Sequence, residues 1–398
     1  SCFSLKSAAI FAFSFYLAAH FLAYLYSIFS IVDEKRTLEK RELYDGPLVL
    51  NDKYKNVLYG RKINGVYMNV GVMNTALLFD QSKKNEKSGG MDSMPAISEN
   101  FFERLTSSAQ SVLSRQSQKR EDERFVYFTF VNEAYSQMTL NWLCNVDKFD
   151  GILNRTIIAT SSATLCGSLR KEYPKVECVK IALPSTFSSN LDWGKKEYIQ
   201  WLILRARILR RLVESSIPFV LFETDAVWFR DPTELFESAI KIDDIDIKVP
   251  VKGYTGRGQS LSFDPMLVYP TNGSRVLFDE MNKRLTMNSS LYDQDILDEL
   301  CRVQFNGVVC RTFDWAQIAD GKWFKLSDSE RARYSPYIVN NNYYVGVQNK
   351  MTRQAMNHMW LLTPKSNKCS IVRRRRMFDE NEALAKLKPE NEDLKPEN

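Results

Sequence analysis

The longest apolar run lies near the start of the chain. Ala8 to Val32 carries no charged side chain apart from the titratable His20, and as a helix it would be about 37 Å long, enough to cross a bilayer. Phe, Leu, Ile and Ala dominate it, with Tyr16, Tyr24 and Tyr26 suited to the interface. It is longer than the apolar core of a removable signal and lacks a small-residue cleavage site. The pattern therefore predicts a retained transmembrane anchor over 8–32. Residues 33–124 read as a stem. The segment from Lys83 to Gly90 is a polar linker, and then Ile97, Phe101, Phe102, Leu105, Ala109, Val112 and Leu113 recur at helical spacing.

From Phe125 the pattern alternates between strand and helix. Phe125 to Val131, Thr156 to Thr160, Val176 to Ala182 and Pro218 to Phe222 are short apolar runs, each read as a buried strand. Between them, Tyr135 to Val146, Ala163 to Glu172 and Trp193 to Ser216 follow a helical period. Further strands are expected at Ile247 to Val251 and Met266 to Tyr269, and further helices at Ser274 to Leu285 and Asp293 to Cys301. Such alternation predicts an α/β fold, a Rossmann-type and mostly parallel sheet with flanking helices, over 125–372. The remainder, 373–398, opens on Arg373 to Arg376 and twice repeats Leu-Lys-Pro-Glu-Asn, so it reads as a basic and then disordered tail.

Composition narrows the chemistry. The 398 residues include only two histidines, and His20 lies inside the apolar run. A Ser-His-Asp triad, a Cys-His dyad or a multi-histidine zinc site would have to rest on His358 alone. There is no HExxH and no P-loop. The net charge of +6 comes largely from local runs such as Lys119-Arg120 and Arg373 to Arg376, which read as solvated flanks, so no nucleic-acid partner is expected. Bases after the anchor outnumber those before it and would by themselves keep the body cytoplasmic, but long domains translocate regardless of flanking charge. Sequons at Asn154, Asn272 and Asn288 favour a lumenal body. Cys144, Cys166, Cys178, Cys301, Cys310 and Cys369 follow the anchor without any CxxC pair. They suit lumenal disulfides and equally suit buried thiols.

Ligands of open α/β sheets bind beyond the carboxyl ends of strands. There, after Phe219 to Phe222, stand Glu223 and Asp225. Two residues apart on extended chain, they point to one side and can hold a hard divalent ion, Mn²⁺ or Mg²⁺, through oxygen. A plain strand-end turn, with Asp231 capping a helix begun at Pro232, is the bland alternative.

Pro218 to Pro232, reading Pro-Phe-Val-Leu-Phe-Glu-Thr-Asp-Ala-Val-Trp-Phe-Arg-Asp-Pro, resembles the Asp-x-Asp segment of the nucleotide-diphospho-sugar transferase family, Golgi-type glycosyltransferases of the GT-A fold. Val131 to Tyr135 and Asn141 to Cys144 are similar to the family's first strand and helix, Tyr198 with Arg205 to its long helix, and Asp293-Gln-Asp295 to its Asp-Gln-Asp segment. Asn342, Gly346 and Lys350 resemble its closing segment. The resemblance spans Phe125 to Leu362. It implies metal-assisted transfer of a sugar, with retention, from a nucleotide-diphosphate donor, usually UDP-linked, to a glycan or glycoprotein. It implies a single-pass anchor with the catalytic domain in the Golgi or endoplasmic reticulum lumen. Asp293 and Gln294 would be catalytic. Asn132, Glu133, Tyr198, Arg205, Asp225 and Lys350 would bind the nucleotide, and Glu223, Asp225 and Asn340 the metal. Three positions depart from the family: Glu223 stands where Asp is usual, Asn340 where a His is frequent, and Pro265 lies in a segment where a Gly is usual. They motivate a second reading, a catalytically impaired lumenal protein that binds a nucleotide or glycan.

Other residues receive plainer readings. His358, beside Trp360 and Leu361, is expected to pack in the core. Of Arg205, Arg207, Arg210 and Arg211, two or three are expected to face solvent or pair with acids. Gly253 to Gly258 reads as a mobile loop. Trp193, Trp201, Trp228 and Trp315 are expected to be core or wall residues.

Overall fold

The computed structural model describes residues 94–386, apart from 239–244, 256–257, 289 and 365, and the backbone of four short strands between 49 and 69. The chain divides into 1–86 and 87–398. In the first unit Val49–Asn51 pairs antiparallel with Asn56–Leu58, and Gly60–Ile63 with Val66–Asn69. The expected anchor over 8–32 lies outside the described residues. Among the described residues no helix is long and apolar enough to cross a membrane.

The second unit opens on helix α1 (Glu99–Ser114), whose N-terminus is capped by the Ser98 hydroxyl accepting from the Phe101 amide at 3.3 Å. It leads to strand β1 (Val126–Val131), helix α2 (Ser136–Val146), β2 (Thr156–Thr160), α3 (Ala163–Glu172), β3 (Glu177–Lys180), α4 (Lys196–Glu214) and β4 (Phe219–Leu221). A short β5 (Val227–Trp228) and α5 (Thr233–Ser238) precede β6 (Ile247–Thr255), β7 (Gly258–Leu261), β8 (Met266–Val268), α6 (Asn272–Met287) and α7 (Asp293–Arg302). The chain closes with β9 (Cys310–Phe313), β10 (Ile318–Ala319), α8 (Asp328–Arg333), β11 (Ile338–Val339), α9 (Val347–Met356) and α10 (Ile371–Lys386).

The central sheet runs β7-β6-β8-β4-β1-β2-β3, with β9 added parallel to β6. Strands β4, β1, β2 and β3 are parallel, as the strand–helix alternation requires, and β8 joins them antiparallel to β4. Side-chain alternation explains why these strands read as unbroken apolar runs. Val126, Phe128 and Phe130 enter one core with α1, α4 and α6, while Phe125, Tyr127 and Val131 enter another with α2 and α3. The same split separates Phe219 and Leu221 from Val220 and Phe222. Both faces are covered, so no charged residue stands in β1 or β4 until the strand leaves the sheet.

Several expectations are corrected. Gly253 to Gly258 is not a free loop, because β6 and β7 pair antiparallel from Val251 with Leu261 to Thr255 with Gly258. His358 is exposed: it follows α9 in a left-handed conformation (φ 59°), which turns Met359 and Leu361 inward and the imidazole outward. Trp201 and Trp228 are buried and Trp315 half-buried, but Trp193 is 59% exposed. The basic segment beginning at Arg373 is helical as far as Lys386, because Met377 and Phe378 are buried in a third core and Arg374 reaches Asp147 at 2.7 Å. Residues 387–398 lie outside the described set. Among the described residues the six cysteines are paired, Cys144 with Cys369, Cys166 with Cys178 and Cys301 with Cys310.

Candidate active site

Strand β4 delivers the site. Its ladder ends with the Phe222 amide donating to the Phe128 carbonyl at 3.0 Å, so Glu223, Thr224 and Asp225 emerge past the carboxyl edge of the sheet. A turn follows, with the Ala226 amide donating to the Glu223 carbonyl at 3.3 Å. Strand β5 then pairs Val227 with Val339 of β11, which places Asn340 beside the turn. Strand β8 supplies the neighbour that sequence reasoning did not select. Met266 is registered against Leu221, so the residues preceding β8 run back toward Glu223. Glu223, Asp225 and Asp264 thus each present a carboxylate oxygen within 4.8 Å of the others. Nothing in the local sequence Ser-Phe-Asp-Pro-Met marks Asp264; the strand register is what brings it in.

Two cations face these acids. Arg205, buried on α4, donates from its NH1 nitrogen to Glu223 at 2.8 Å and from Nε to Asp293 at 3.1 Å, so one guanidinium bridges two carboxylates. Lys350, in the first turn of α9, pairs with Asp225. Gly346 makes this approach possible: it caps α9 at φ 84°, a conformation that a side chain would strain. Below the site, Gln354 donates to the Asp225 carbonyl at 2.7 Å and accepts from Asn141 at 3.0 Å. Asn141 also donates to the Met359 carbonyl at 3.0 Å and accepts from the Leu361 amide at 2.6 Å. This buried amide network ties α2 to the segment that carries Lys350.

Burial raises the Asp264 carboxyl well above its usual range, and the charges of Glu223 and Asp225 add to the effect. Burial also raises Asp225, against the opposing Lys350 ammonium. On Lys350, burial works to lower the pKa, but Asp225 outweighs it and holds the amine charged well above the ordinary lysine range. Glu223 is lowered: burial opposes this, and Arg205 and then Lys350 prevail. Its side chain keeps 37% of its surface, in line with a group that stays ionised. Burial raises Asp293 against the pull of Arg205.

A cleft opens over this arrangement. Its walls include Asn132, Tyr198, Arg205, Glu223, Gly346 and Lys350, together with Tyr135, Trp193 and Tyr344. Six of the sequence-selected residues therefore meet there or at its floor: Asn132, Tyr198, Arg205, Glu223, Asp225 and Lys350. Tyr198 lies two turns before Arg205 on the same face of α4, which explains their joint arrival. Asn132 donates to the Ser189 carbonyl at 2.8 Å, and its own side-chain oxygen is buried without a donor. Asp293, the first residue of α7, reaches the site through Arg205, and Gln294 beside it is half-buried. Glu133 does not join them; it is exposed and accepts from the Thr164 hydroxyl at 2.8 Å. Tyr135, which sequence reading passed over, lies with its ring 5.9 Å from the Lys350 nitrogen, and burial raises its hydroxyl pKa.

The donor set suits a hard cation. Three carboxylates offer oxygen, and Asn340 adds a fourth candidate: it is buried, its amide nitrogen donates to the Asp264 carbonyl at 2.7 Å, and its side-chain oxygen has no hydrogen-bond partner. A buried carbonyl oxygen without a donor is costly unless something electropositive meets it.

An Asp-x-Asp-like acid pair thus stands at the end of a parallel strand of an α/β sheet, with a lysine paired to its second acid. The nucleotide-diphospho-sugar transferase family matches residues 151–354, half of the chain, and the protein belongs to that family. It is a glycosyltransferase dependent on nucleotide sugars. No match was found among curated proteins. Among solved structures it is similar to mouse xyloside xylosyltransferase 1 in its apo form, with 11% identity and a TM-score of 0.34 over 55% of this chain and 98% of that one. It is also similar to the glycosyltransferase GlyE of Streptococcus pneumoniae TIGR4, with 11% identity and a TM-score of 0.37 over 65% of this chain and 64% of that one.

Proposed function

We propose that this glycosyltransferase moves a sugar from a nucleoside-diphosphate donor, UDP-linked, to a glycan or glycoprotein, with the aid of Mn²⁺ or Mg²⁺ and with retention of configuration. The observation that carries the reading is the meeting of Glu223, Asp225 and Asp264 with Lys350 at the end of β4. Glu223, Asp225, Asp264 and Asn340 would hold the cation, which when bound supplies positive charge to the departing diphosphate. Lys350 supplies a fixed ammonium beside the same phosphates, and the Asp225 carboxylate keeps it charged against the effect of burial. Asn132, with a buried oxygen lacking a donor, lies at the end of β1 where an N–H of the nucleoside would satisfy it. Arg205 fixes Glu223 relative to Asp293, so the cation site and the start of α7, where Asp293 and Gln294 would face the donor sugar, hold one spacing. Retention rests on the family resemblance.

The lumenal body and the N-terminal anchor, in the Golgi or endoplasmic reticulum membrane, belong to the same proposal. Three disulfides support an oxidising compartment, and Asn154, Asn272 and Asn288 are all exposed. The test is a panel of nucleotide sugars incubated with the purified protein and Mn²⁺, with release of free sugar followed. Slow hydrolysis of one UDP-linked donor, inhibited by UDP, is expected. Absence of UDP binding with Mn²⁺ present would overturn the reading.

A further inference from the structure

Lys350 and Gln354 stand four residues apart on α9, so they share one face of the helix, and both meet Asp225. Lys350 pairs with the carboxylate, while Gln354 donates to the backbone carbonyl at 2.7 Å. Gln354 is buried and is itself held: its side-chain oxygen accepts from Asn141, buried on α2, at 3.0 Å. Asn141 in turn accepts from the Leu361 amide at 2.6 Å. The bonds run one way, from the Leu361 N–H through two side-chain amides to the Asp225 carbonyl, so each amide has its nitrogen and oxygen fixed by its neighbours. The acid turn has further anchors. Asn145 exchanges two bonds with the Trp228 backbone, at 2.9 and 2.8 Å, and Val227 pairs with Val339. Helix α9 is tied more to its own lead-in segment, where Asn341 donates to the Lys350 carbonyl at 3.1 Å and Arg353 to the Asn342 carbonyl at 2.7 Å.

We infer that Gln354, oriented by Asn141, is a positioning residue that fixes the Lys350 ammonium relative to the acid turn while the nucleoside diphosphate binds. This inference rests on the transferase reading above. When a diphosphate takes the ammonium and a cation takes the Asp225 carboxylate, the direct pair between Lys350 and Asp225 loosens. The bond from Gln354 goes to the main chain of Asp225 and competes with neither partner, so it persists through the exchange. It lies one turn beyond Lys350 and keeps α9 seated against the acid turn. A displacement of about 1 Å is enough to weaken a charge aimed at one group. Neither Gln354 nor Asn141 lines the cleft, so their effect passes through Lys350.

The test titrates Mn²⁺ alone, and UDP in saturating Mn²⁺, into the full chain and its variants by calorimetry, well below every melting temperature. Gln354→Met keeps the length of the side chain and removes both bonds. It should weaken UDP about tenfold, while Mn²⁺ alone binds within about twofold of the parent because the acid turn keeps its other anchors. Lys350→Met should weaken UDP strongly in the parent and little in the Gln354→Met background, where the ammonium is already out of place. Gln116→Met is the control for stability. It removes the bonds of a buried glutamine to the Val112 and Phe125 carbonyls, at the far end of β1 from the site. It should lower the melting temperature and leave UDP affinity unchanged. Gln354→Asn keeps an amide that is one methylene too short to span both contacts, and it takes the place of the methionine variant if that one does not fold. The inference is overturned if the Gln354 variant binds UDP as the parent does, or if its losses and those of Lys350→Met simply add. It is overturned too if Mn²⁺ affinity falls as far as UDP affinity, which would make Gln354 a support of the cation site, or if Gln116→Met weakens UDP equally. Failure of the parent to bind UDP at all would instead sink the transferase reading.

Discussion

Asp264 and Glu223 face each other across the antiparallel pair of β8 and β4, with carboxylate oxygens within 4.8 Å. Two like charges this close in a buried setting oppose folding unless a cation or a proton joins them. The structure answers with a strongly raised Asp264 carboxyl. Replacing Asp264 with Asn removes the repulsion and also one oxygen charge from the proposed cation site. Without metal at neutral pH, Asp264→Asn should melt higher than the parent by about 2–4 °C, the equivalent of about 1 kcal/mol in a domain of this size. Its Mn²⁺ affinity should drop about tenfold or more. Differential scanning calorimetry and titration with Mn²⁺ measure the two effects, and equal melting with equal metal affinity would remove Asp264 from the site.

The same group sets a pH dependence. An acid whose folded pKa is raised binds its proton more tightly in the native state, so the native state gains from it at low pH. That stability is lost as pH climbs from the unfolded value, about 3.9, through the raised native one. Asp225 and Asp293 act in the same direction, and Glu223, which is lowered, in the opposite one. The metal-free parent should therefore lose stability relative to Asp264→Asn as pH rises, and saturating Mn²⁺ should close the gap. Parallel stability curves for the two proteins would contradict this.

Much of the scaffold is legible because its rule is local. The runs at Phe125, Thr156 and Pro218 are apolar on both alternating faces, so they can only be strands covered on two sides. Glu223 and Asp225 stand out because charge there breaks such a run. Arg205 and Tyr198 are legible through helical spacing. Asp264 is not, because its role depends on a strand register between segments about forty residues apart. Tyr135 is hidden for a similar reason: only the arrival of Lys350 from α9 gives it a neighbour. His358 is hidden because a local apolar setting says nothing of which way a turn points, and it adopts a positive φ itself.

Topology has its own test. Asn154, Asn272 and Asn288 are exposed, although Ser274 of the second sequon is buried in the capping box of α6. Glycan transfer precedes folding of that hydroxyl into the cap. If the body is lumenal, protein expressed in a eukaryotic secretory system should shift in mobility on treatment with an N-glycosidase, and Asn154→Gln should remove one step of the shift. An unshifted band from membranes that protect the body from added protease until they are permeabilised would place the body in the lumen without glycans. An unshifted band from a body already open to protease would place it in the cytoplasm.

The Asp225–Lys350 pair separates stability from function. Both side chains are nearly enclosed, 3% and 14% exposed, so removing one charge strands the other. Asp225→Asn should cost about 3 kcal/mol, as breaking a buried ion pair does, and Lys350→Met a similar amount. The double variant should recover most of the loss, giving a coupling well above the scatter of independent sites. Function should not recover. With Asp225 gone the cation site lacks its central carboxylate, and with Lys350 gone the diphosphate lacks its fixed ammonium, so UDP binding in Mn²⁺ should stay weak in all three proteins. Denaturant titration and calorimetric UDP titration of the same preparations check this. Additive stability losses would show that the pair is screened by water. Restored UDP binding in the double variant would show that neither residue touches the nucleotide, and the proposed site would have to move.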